Sequence, residues 1–302
     1  MEKDSLQIIK LALKEDIGKG DITTNALFPK PMKVTARIIA GEDGVICGLC
    51  AVAEIFKVLD RRIQVIRKAD GGDKIKKGQV VCIVRGDARK ILAGERTALN
   101  FLSRLSGIAA LTNKYVEKIK PYKVKILDTR KTTPGLRELE KYAVKCGGGV
   151  NHRMGLYDQV LVKDNHVAVY KSEVRSQRTE DRGSLKDIIE KIRRGIKRDK
   201  NGINKALKIE LEVENLREFK EALDAGPNII MLDNMSIPDI KKAVVLRSML
   251  YPIPYTLYPK LEVSGGITLD NVRSIAATGV DMISVGALTH SAPSIDFSLE
   301  II

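Results

Sequence analysis

The second part of the chain alternates short apolar runs with amphipathic helical stretches, and this alternation constrains the fold more than any other feature. Residues 216–225 and 269–278 are typical of the helical stretches. Strands and helices that alternate, with nearly continuous apolar strands, indicate a parallel sheet covered by helices. The predicted strands are 124–129, 159–164, 208–214, 229–234, 260–266 and 282–288.

Polar residues or glycine recur at the carboxyl ends of these predicted strands. Barrel enzymes carry their chemistry at that end, whereas an open doubly wound sheet concentrates its ligand at one switch point. Because such residues recur at the ends of all the predicted strands, we favour an α/β barrel, complete or incomplete. The strand-end residues are Asp128, Lys163, Asp164, Glu212, Asp233, Ser264 and Gly286.

The first part of the chain has a different pattern. Residues 5–15 are predicted to form a short helix, and residues 94–119 a long amphipathic one. Between them, residues 33–86 are rich in β-branched side chains and glycine, which predicts strands and turns, with one turn at Gly78. We therefore predict a smaller α/β domain ahead of the barrel.

The net charge of +14 is unevenly distributed. Residues 171–205 hold 12 Lys/Arg and 6 Asp/Glu, so 12 − 6 = +6 comes from this stretch. Apolar residues at helical spacing predict an amphipathic surface helix with a solvated basic face, and a nucleic-acid-binding surface is the alternative. These apolar residues are Leu185, Ile188, Ile189, Ile192 and Ile196.

Several classes of protein are not expected. No run of about 18 uncharged apolar residues occurs, and the first residues mix acids with bases, so neither a membrane span nor a secretory signal is predicted. Four cysteines in a chain this long do not make a disulfide framework. Cys47 and Cys50 are interpreted as two small buried residues, with redox or metal chemistry as the alternative. A cytoplasmic protein is expected.

The segment 128–166 carries the densest group of charged side chains. Two successive strand regions are predicted to direct five potential cations toward one mouth of the barrel. Cations placed together repel one another unless an anion lies among them, and arginine offers a bidentate fork to phosphate or carboxylate. The five residues are Arg130, Lys131, His152, Arg153 and Lys163.

A second group is acidic. Glu210, Glu212 and Glu214 alternate and are predicted to share one face of a strand, while Asp233 ends the next strand. Carboxylates near a basic pocket indicate binding of Mg²⁺ or of sugar hydroxyls, and salt bridging at the barrel rim is an equal alternative.

A third group consists of glycines that end the last two predicted strands. Gly265 and Gly266 follow one strand, and Gly286 follows the other. Turns at this place commonly bind a phosphate through backbone N–H groups. We therefore predict a phosphate site there.

These motifs resemble the quinolinate phosphoribosyltransferase family, and the resemblance runs almost end to end. It implies an N-terminal α/β sandwich over residues 1–108, joined by residues 290–302, and an incomplete α/β barrel over residues 109–289. It also implies a homodimer or a hexamer built as a trimer of dimers, with each active site at a subunit interface. The matching motifs are EDIGKGDITTNAL, GERTALNFLSRLSGIA, the block DTRKTTPGLR through KDNH, ELEVEN, MLDNM, VSGGI and GVDMISVGALTHSA.

By resemblance, the site residues fall into groups with separate roles. Arg96 reaches the partner subunit's site. The two carboxylates of quinolinate are bound by Arg130, His152, Arg153 and Lys163, with Thr129 alongside. The 5-phosphoribosyl 1-diphosphate is contacted by Lys131 and Lys163, its ribose and Mg²⁺ by Glu212 and Asp233, and its 5′-phosphate by Ser264, Gly265, Gly266 and Gly286. Catalytic roles are implied for Lys131, Lys163, Glu212 and Asp233.

The resemblance implies an enzyme that converts quinolinate to nicotinate mononucleotide, with release of carbon dioxide and pyrophosphate. The implied cofactor is Mg²⁺, and neither a membrane nor a nucleic acid is an expected partner. Three alternatives remain open at this point. They are a phosphoribosyltransferase acting on nicotinate or another monocarboxylate, a basic nucleic-acid-binding protein, and a homologue diverted to metal transport or storage.

Overall fold

The computed structural model describes residues 3–176, 183–198, 207–251 and 259–302. The first elements in chain order are α1 (Lys3–Ile17), α2 (Ile22–Leu27), β1 (Lys33–Ala40), β2 (Gly44–Val45), α3 (Leu49–Leu59), β3 (Gln64–Arg67), β4 (Lys74–Ile75), β5 (Val80–Asp87), α4 (Ala88–Ile119), β6 (Lys125–Leu127) and α5 (Arg137–Cys146). They are followed by β7 (Val160–Val162), α6 (Asp164–Ser176), α7 (Leu185–Arg198), β8 (Ile209–Val213), α8 (Leu216–Ala225), β9 (Ile229–Asp233), α9 (Ile237–Leu250), β10 (Lys260–Ser264), α10 (Val272–Ala276), β11 (Met282–Ser284), α11 (Ala287–His290) and β12 (Phe297–Ile301).

The chain divides into two compact units. Unit 1 comprises Met1–Val116, Lys131–Asn151 and Gly286–Ile302, and unit 2 comprises Glu117–Arg130 and His152–Val285. Among the described helices, none is long and apolar enough to cross a membrane.

Unit 1 contains a four-stranded antiparallel sheet in the order β12-β1-β5-β3. Along β1, Ala36, Ile38 and Ala40 are buried, because alternate side chains of a strand point to the same face. The intervening Arg37 points to the other face and donates to Glu300 of β12. Residues of α1, α3 and α4 complete the core on the buried face.

Helix α3 contradicts the prediction that residues 33–86 form only strands and turns. Val52, Ile55 and Phe56 are fully buried, at the three- and four-residue steps of an amphipathic helix. The cluster of glycines on both sides of this segment masked the helical period. The turn predicted at Gly78 is confirmed, with φ +81° between β4 and β5.

The interpretation of the paired cysteines is half right. Cys47 is fully buried, but Cys50, in the first turn of α3, is only partly buried. Within the described ranges, the three-residue group close enough to bind a metal is His152, Glu210 and Glu262, which contains neither cysteine.

Unit 2 contains six parallel strands in the order β6-β11-β10-β9-β8-β7. The small antiparallel sheet and this parallel sheet confirm the predicted mixed α/β class with an incomplete barrel. The register aligns Glu212, Met231, Glu262 and Met282 across four strands, so these side chains share one face. Acidic side chains therefore lie on a buried face of an otherwise apolar sheet.

Helices begin and end in unit 2 where the sequence supplies caps. Asn215 accepts hydrogen bonds from the N–H groups of Arg217 and Glu218 and starts α8. Gly226, at φ +64°, ends it. These caps explain why α8 coincides with the predicted helix at 216–225.

Several predicted boundaries differ from the structure. Strand β11 ends at Ser284 rather than at 288, because the chain then enters α11. Helix α10 covers five residues instead of the ten predicted over 269–278. Helix α4 begins at Ala88, six residues earlier than expected.

The basic stretch forms the predicted helix in part. Helix α7 buries Leu185, Ile188 and Ile189, which confirms the apolar face expected from their spacing. The remainder of the stretch at 177–182 and 199–205 lies outside the described residues.

Candidate active site

The predicted site residues of unit 2 cluster at the carboxyl ends of its strands. Thr129 and Arg130 follow β6, and Lys163 follows β7. Parallel strands all present their carboxyl ends at one edge, so Glu212, Asp233 and Ser264, at the ends of β8, β9 and β10, lie at the same edge. His152 and Arg153 lie in the loop before β7.

His152 is held between two buried carboxylates. Its Nε2 lies 3.1 Å from Oε2 of Glu210 and 3.5 Å from Oε1 of Glu262. Its backbone N–H donates to Oδ1 of the fully buried Asp128 at 2.8 Å, which ties the loop to the end of β6. We call His152, Glu210 and Glu262 the carboxylate cluster.

The charge state of His152 follows from these neighbours. Burial by itself lowers the pKa of His152, but hydrogen bonds to Glu210 and Glu262 outweigh burial and raise the pKa to about 10. In the ring orientation observed, Nδ1 accepts the Arg153 N–H at 2.7 Å, as a neutral imidazole would. We favour the imidazolium, since protonating Nδ1 gives up one local contact while two carboxylates gain a cation.

Arg130 and Arg153 have unfilled capacity to donate hydrogen bonds. The buried Nε atom of each guanidinium has no hydrogen-bond partner within the described residues. Arg153 is 7% exposed and donates from Nη1 to the carbonyl of Gln159 at 3.1 Å. Burial and the nearby Arg130 both lower the pKa of Arg153. Two adjacent guanidinium groups with unpaired donors are suited to an anion with more than one negative charge.

The carboxylate cluster is itself incompletely paired. Glu210 accepts from Nε2 of Gln159 at 2.6 Å, and Glu262 accepts from the hydroxyl of Ser284. In the described ranges, Oε1 of Glu210 and Oε2 of Glu262 are buried without a partner. Burial and the charge of Glu262 raise the pKa of Glu210 to about 6.

Glu262 was missed as a site residue by sequence reasoning. It lies inside an apolar strand rather than at its end, so the strand-end criterion passed over it. The signal that could have found it is the alternation of side chains along a strand. Glu262 is two residues before Ser264, so the two side chains must lie on the same face of β10. Conversely, Glu214 was grouped with Glu210 and Glu212 but lies beyond β8, exposed and bonded through its N–H to Glu218.

Lys163 and Glu212 form an ion pair at the ends of β7 and β8. Nζ of Lys163 lies 2.8 Å from Oε2 of Glu212, and the lysine side chain is 46% exposed. Asp233 accepts a hydrogen bond from Asn234 at 2.8 Å at the end of β9. Glu212 and Asp233 thus present carboxylate oxygens, the donors that Mg²⁺ prefers, on neighbouring strands.

Gly265 and Gly266 form a turn with left-handed backbone after β10. Their φ values are +87° and +62°. A Cβ added to Gly265 would lie 2.2 Å from Oδ1 of Asn234, so only glycine fits there. Gly266 has no such obstruction and is exposed, which leaves room for a ligand beside its backbone.

The remaining predicted residues belong to unit 1. Lys131 and Gly286 are neighbours, because a Cβ added to Gly286 would lie 3.2 Å from Cδ of Lys131. Arg96 is exposed on α4.

Two family models match the chain. The N-terminal domain of quinolinate phosphoribosyl transferase matches residues 21–106, and the C-terminal domain matches residues 108–300.

Relatives with known names cover nearly the whole chain. A probable carboxylating nicotinate-nucleotide pyrophosphorylase of Bacillus subtilis is 40% identical over 95% of this chain and 90% of its own. Another from Methanocaldococcus jannaschii is 40% identical over 100% of this chain and 99% of its own. The solved nicotinate-nucleotide pyrophosphorylase of Francisella tularensis is 37% identical, with a TM-score of 0.85 over 99% of this chain and 96% of its own. The chain therefore belongs to the quinolinate phosphoribosyltransferase family of enzymes, the carboxylating nicotinate-nucleotide pyrophosphorylases of NAD biosynthesis.

Proposed function

We propose that this chain uses the strand-end residues of unit 2 to bind quinolinate and transfers to it the 5-phosphoribosyl group of 5-phosphoribosyl 1-diphosphate. The ring nitrogen of quinolinate attacks ribose C1, and pyrophosphate leaves with the electron pair of the broken C–O bond. Carbon dioxide then leaves from the carboxylate beside the ring nitrogen. The electron pair left on that carbon takes up a proton, which gives nicotinate mononucleotide.

One observation carries the assignment of the quinolinate site. Arg130 and Arg153 each keep a buried Nε–H without a partner in the described residues. A dianion with two adjacent carboxylates supplies one carboxylate for each of the two guanidinium groups. A monocarboxylate supplies a single negative charge for the pair. His152, flanked by Glu210 and Glu262, and Lys163 add positive charge to the same strand ends, with Thr129 alongside.

Positioning and charge stabilisation are proposed to account for most of the rate acceleration. An oxocarbenium-like ribose develops positive charge as pyrophosphate departs, and Glu212 and Asp233 are placed to stabilise it or to bind the ribose hydroxyls. Lys131 and Lys163 neutralise the departing diphosphate. Ser264, Gly265, Gly266 and Gly286 bind the 5′-phosphate, the first three at the end of β10 and Gly286 at the start of α11.

The cofactor is proposed to be Mg²⁺. The donor set fits a hard cation, because Glu212 and Asp233 offer carboxylate oxygens on neighbouring strands. When bound with the diphosphate, Mg²⁺ would neutralise charge on the leaving group.

The chain is further proposed to act in the cytoplasm as a homodimer or a trimer of dimers, with Arg96 completing the partner subunit's site. Arg96 is exposed on a single chain, as this role requires. Ile22 and Leu27 of α2 are 86% and 66% exposed, and such exposed apolar side chains are common at surfaces that a partner covers.

Product analysis tests the reaction. Purified protein with Mg²⁺ and 5-phosphoribosyl 1-diphosphate should convert quinolinate labelled in its 2-carboxylate to nicotinate mononucleotide, with one labelled carbon dioxide per turnover. Chelation of the metal should abolish turnover, and added Mg²⁺ should restore it. Faster consumption of nicotinate than of quinolinate would refute the assignment.

Subunit mixing tests the role of Arg96. Arg96→Ala and Arg130→Ala proteins should each be nearly inactive. If the site is shared between subunits, a heterodimer of the two variants contains one site with neither substitution and regains part of the activity. Absence of recovery in verified heterodimers would show that Arg96 acts within its own subunit or not at all.

A further inference from the structure

A network of side chains in unit 1, centred on the fully buried Glu140 and Thr289, surrounds the loop that begins with Lys131. Arg104 of α4 donates from Nε and Nη2 to Oε1 of Glu140 on α5, at 3.2 and 2.8 Å. The Glu140 side chain is 0% exposed and that of Arg104 is 26% exposed. We call Arg104, Thr133, Glu140 and Thr289 the arginine–glutamate network.

The loop is attached to this network through Glu140. The backbone N–H of Thr133 donates to Oε2 of Glu140 at 3.1 Å, and the Thr133 hydroxyl donates to Oε1 at 2.8 Å. Both carboxylate oxygens of Glu140 therefore accept hydrogen bonds. The loop is fixed two residues after Lys131, immediately before Pro134 turns the chain toward α5.

The other attachment lies at Lys131 itself. The hydroxyl of Thr289, which is fully buried in α11, donates to the carbonyl oxygen of Lys131 at 2.8 Å. Arg104 in turn donates to the carbonyl of Thr289, and from Nη1 to the carbonyl of Ala292 at 3.1 Å. One guanidinium thus holds both the helix that bonds Lys131 and the carboxylate that bonds Thr133.

We propose that Arg104 and Glu140 are positioning residues that fix the backbone of Lys131 for its contact with the diphosphate substrate. The inference rests on the proposed role of Lys131. Lysine has a flexible four-carbon stem, so the place of its ammonium group depends on a fixed main chain. An ion pair with one fully buried partner adds little net stability compared with apolar side chains, and a function in geometry accounts for its use here.

Steady-state kinetics of the purified full chain with both substrates test the proposal. Arg104→Lys keeps the charge, but its single ammonium cannot reproduce the fork that reaches Glu140, Thr289 and Ala292. We expect kcat/KM for 5-phosphoribosyl 1-diphosphate to fall about 10²-fold, with much of the loss in KM, since small misplacements of binding groups have effects of this size. The KM for quinolinate should stay within about twofold, because unit 2 is unchanged.

A second variant removes the hydroxyl of Thr289, which lies within hydrogen-bond distance of the carbonyl oxygens of Lys131 and, at 3.2 Å, of Gly286, and leaves the ion pair intact. Thr289→Val nearly preserves shape but cannot donate to the carbonyl of Lys131. The KM for the diphosphate is again expected to rise, here by about 10-fold. Arg37→Lys is the matched control, since Arg37 also pairs with a glutamate of unit 1 but is 43% exposed, and both KM values should be unchanged.

The outcomes separate the possible failures. A purely structural role for Arg104 would lower kcat with the folded fraction and leave both KM values at wild type, which would overturn the proposal. Lys131→Met serves as the reference. If it is impaired while Arg104→Lys and Thr289→Val behave as wild type, this inference alone fails. If it has wild-type kinetics, the proposed role of Lys131 fails and this inference with it.

Discussion

Two groups of charged side chains, one in each unit, differ in how completely their buried atoms are paired. In the arginine–glutamate network, both oxygens of Glu140 accept hydrogen bonds. In and beside the carboxylate cluster, four buried atoms lack a partner among the described residues. They are Nε of Arg130, Nε of Arg153, Oε1 of Glu210 and Oε2 of Glu262.

The difference distinguishes a structural network from a binding site. Leaving a buried polar atom unpaired typically costs about 1–3 kcal/mol, so folded proteins pair nearly all of them. Exceptions persist where a ligand supplies the missing partner. The unpaired guanidinium nitrogens therefore indicate where an anion binds, whereas the paired network indicates where the backbone must not move.

Arg130→Met should have the largest effect, and on activity alone. The variant removes a cation that the dianionic substrate needs, so we expect kcat/KM for quinolinate to fall about 10³-fold, equivalent to about 4 kcal/mol. Its Nε–H makes no hydrogen bond in the described structure, so the free energy of unfolding in urea should change by less than about 1 kcal/mol. Near-normal catalysis by this variant would remove the basis for the comparison.

Glu140→Leu should have the opposite signature, with a loss of stability. The substitution leaves Arg104 and the Thr133 N–H without their partner, and we expect the free energy of unfolding to fall by about 3 kcal/mol. Adding Arg104→Met should restore much of this loss, since no isolated charge then remains. A single Glu140→Leu variant as stable as wild type would mean that the pairing in this network has no energetic consequence.

His152→Gln sharpens the comparison through pH. Because the pKa of His152 is raised from its ordinary 6.5 to about 10, the folded state keeps a proton that the unfolded state has lost. The stabilisation of the folded state by protonated His152 is complete below about pH 6.5 and is lost as the pH rises toward 10.

The stability difference between wild type and His152→Gln should therefore shrink by about 1.4 kcal/mol per pH unit between pH 7 and 9.5. Urea unfolding at several pH values measures this difference. His166→Gln is the control, because it removes a histidine that is exposed rather than held between carboxylates. A difference independent of pH would show that the carboxylate cluster does not retain the proton on His152.

Sequence reasoning recovered most of the barrel strands because their apolar runs are bounded by polar residues and glycine. Helix α8 was predicted to the residue, since Asn215 and Gly226 mark its ends. Helix α3 was missed, because flanking glycines resemble turn signals and its apolar residues suit a strand as well as a helix. Glu262 was missed for a related reason, since one acidic residue within an apolar run does not reveal whether its side chain is buried.

The sequence by itself determined the alternation of strands and helices, the residues at the strand ends and the family, because these are local or linear properties. Only the tertiary structure decided which polar atoms are paired. Whether Glu262 meets His152, or Glu140 meets Arg104, depends on contacts between residues 110 and 36 positions apart. Hydrogen bonding over such separations is set by strand register and helix packing, which the order of residues does not display.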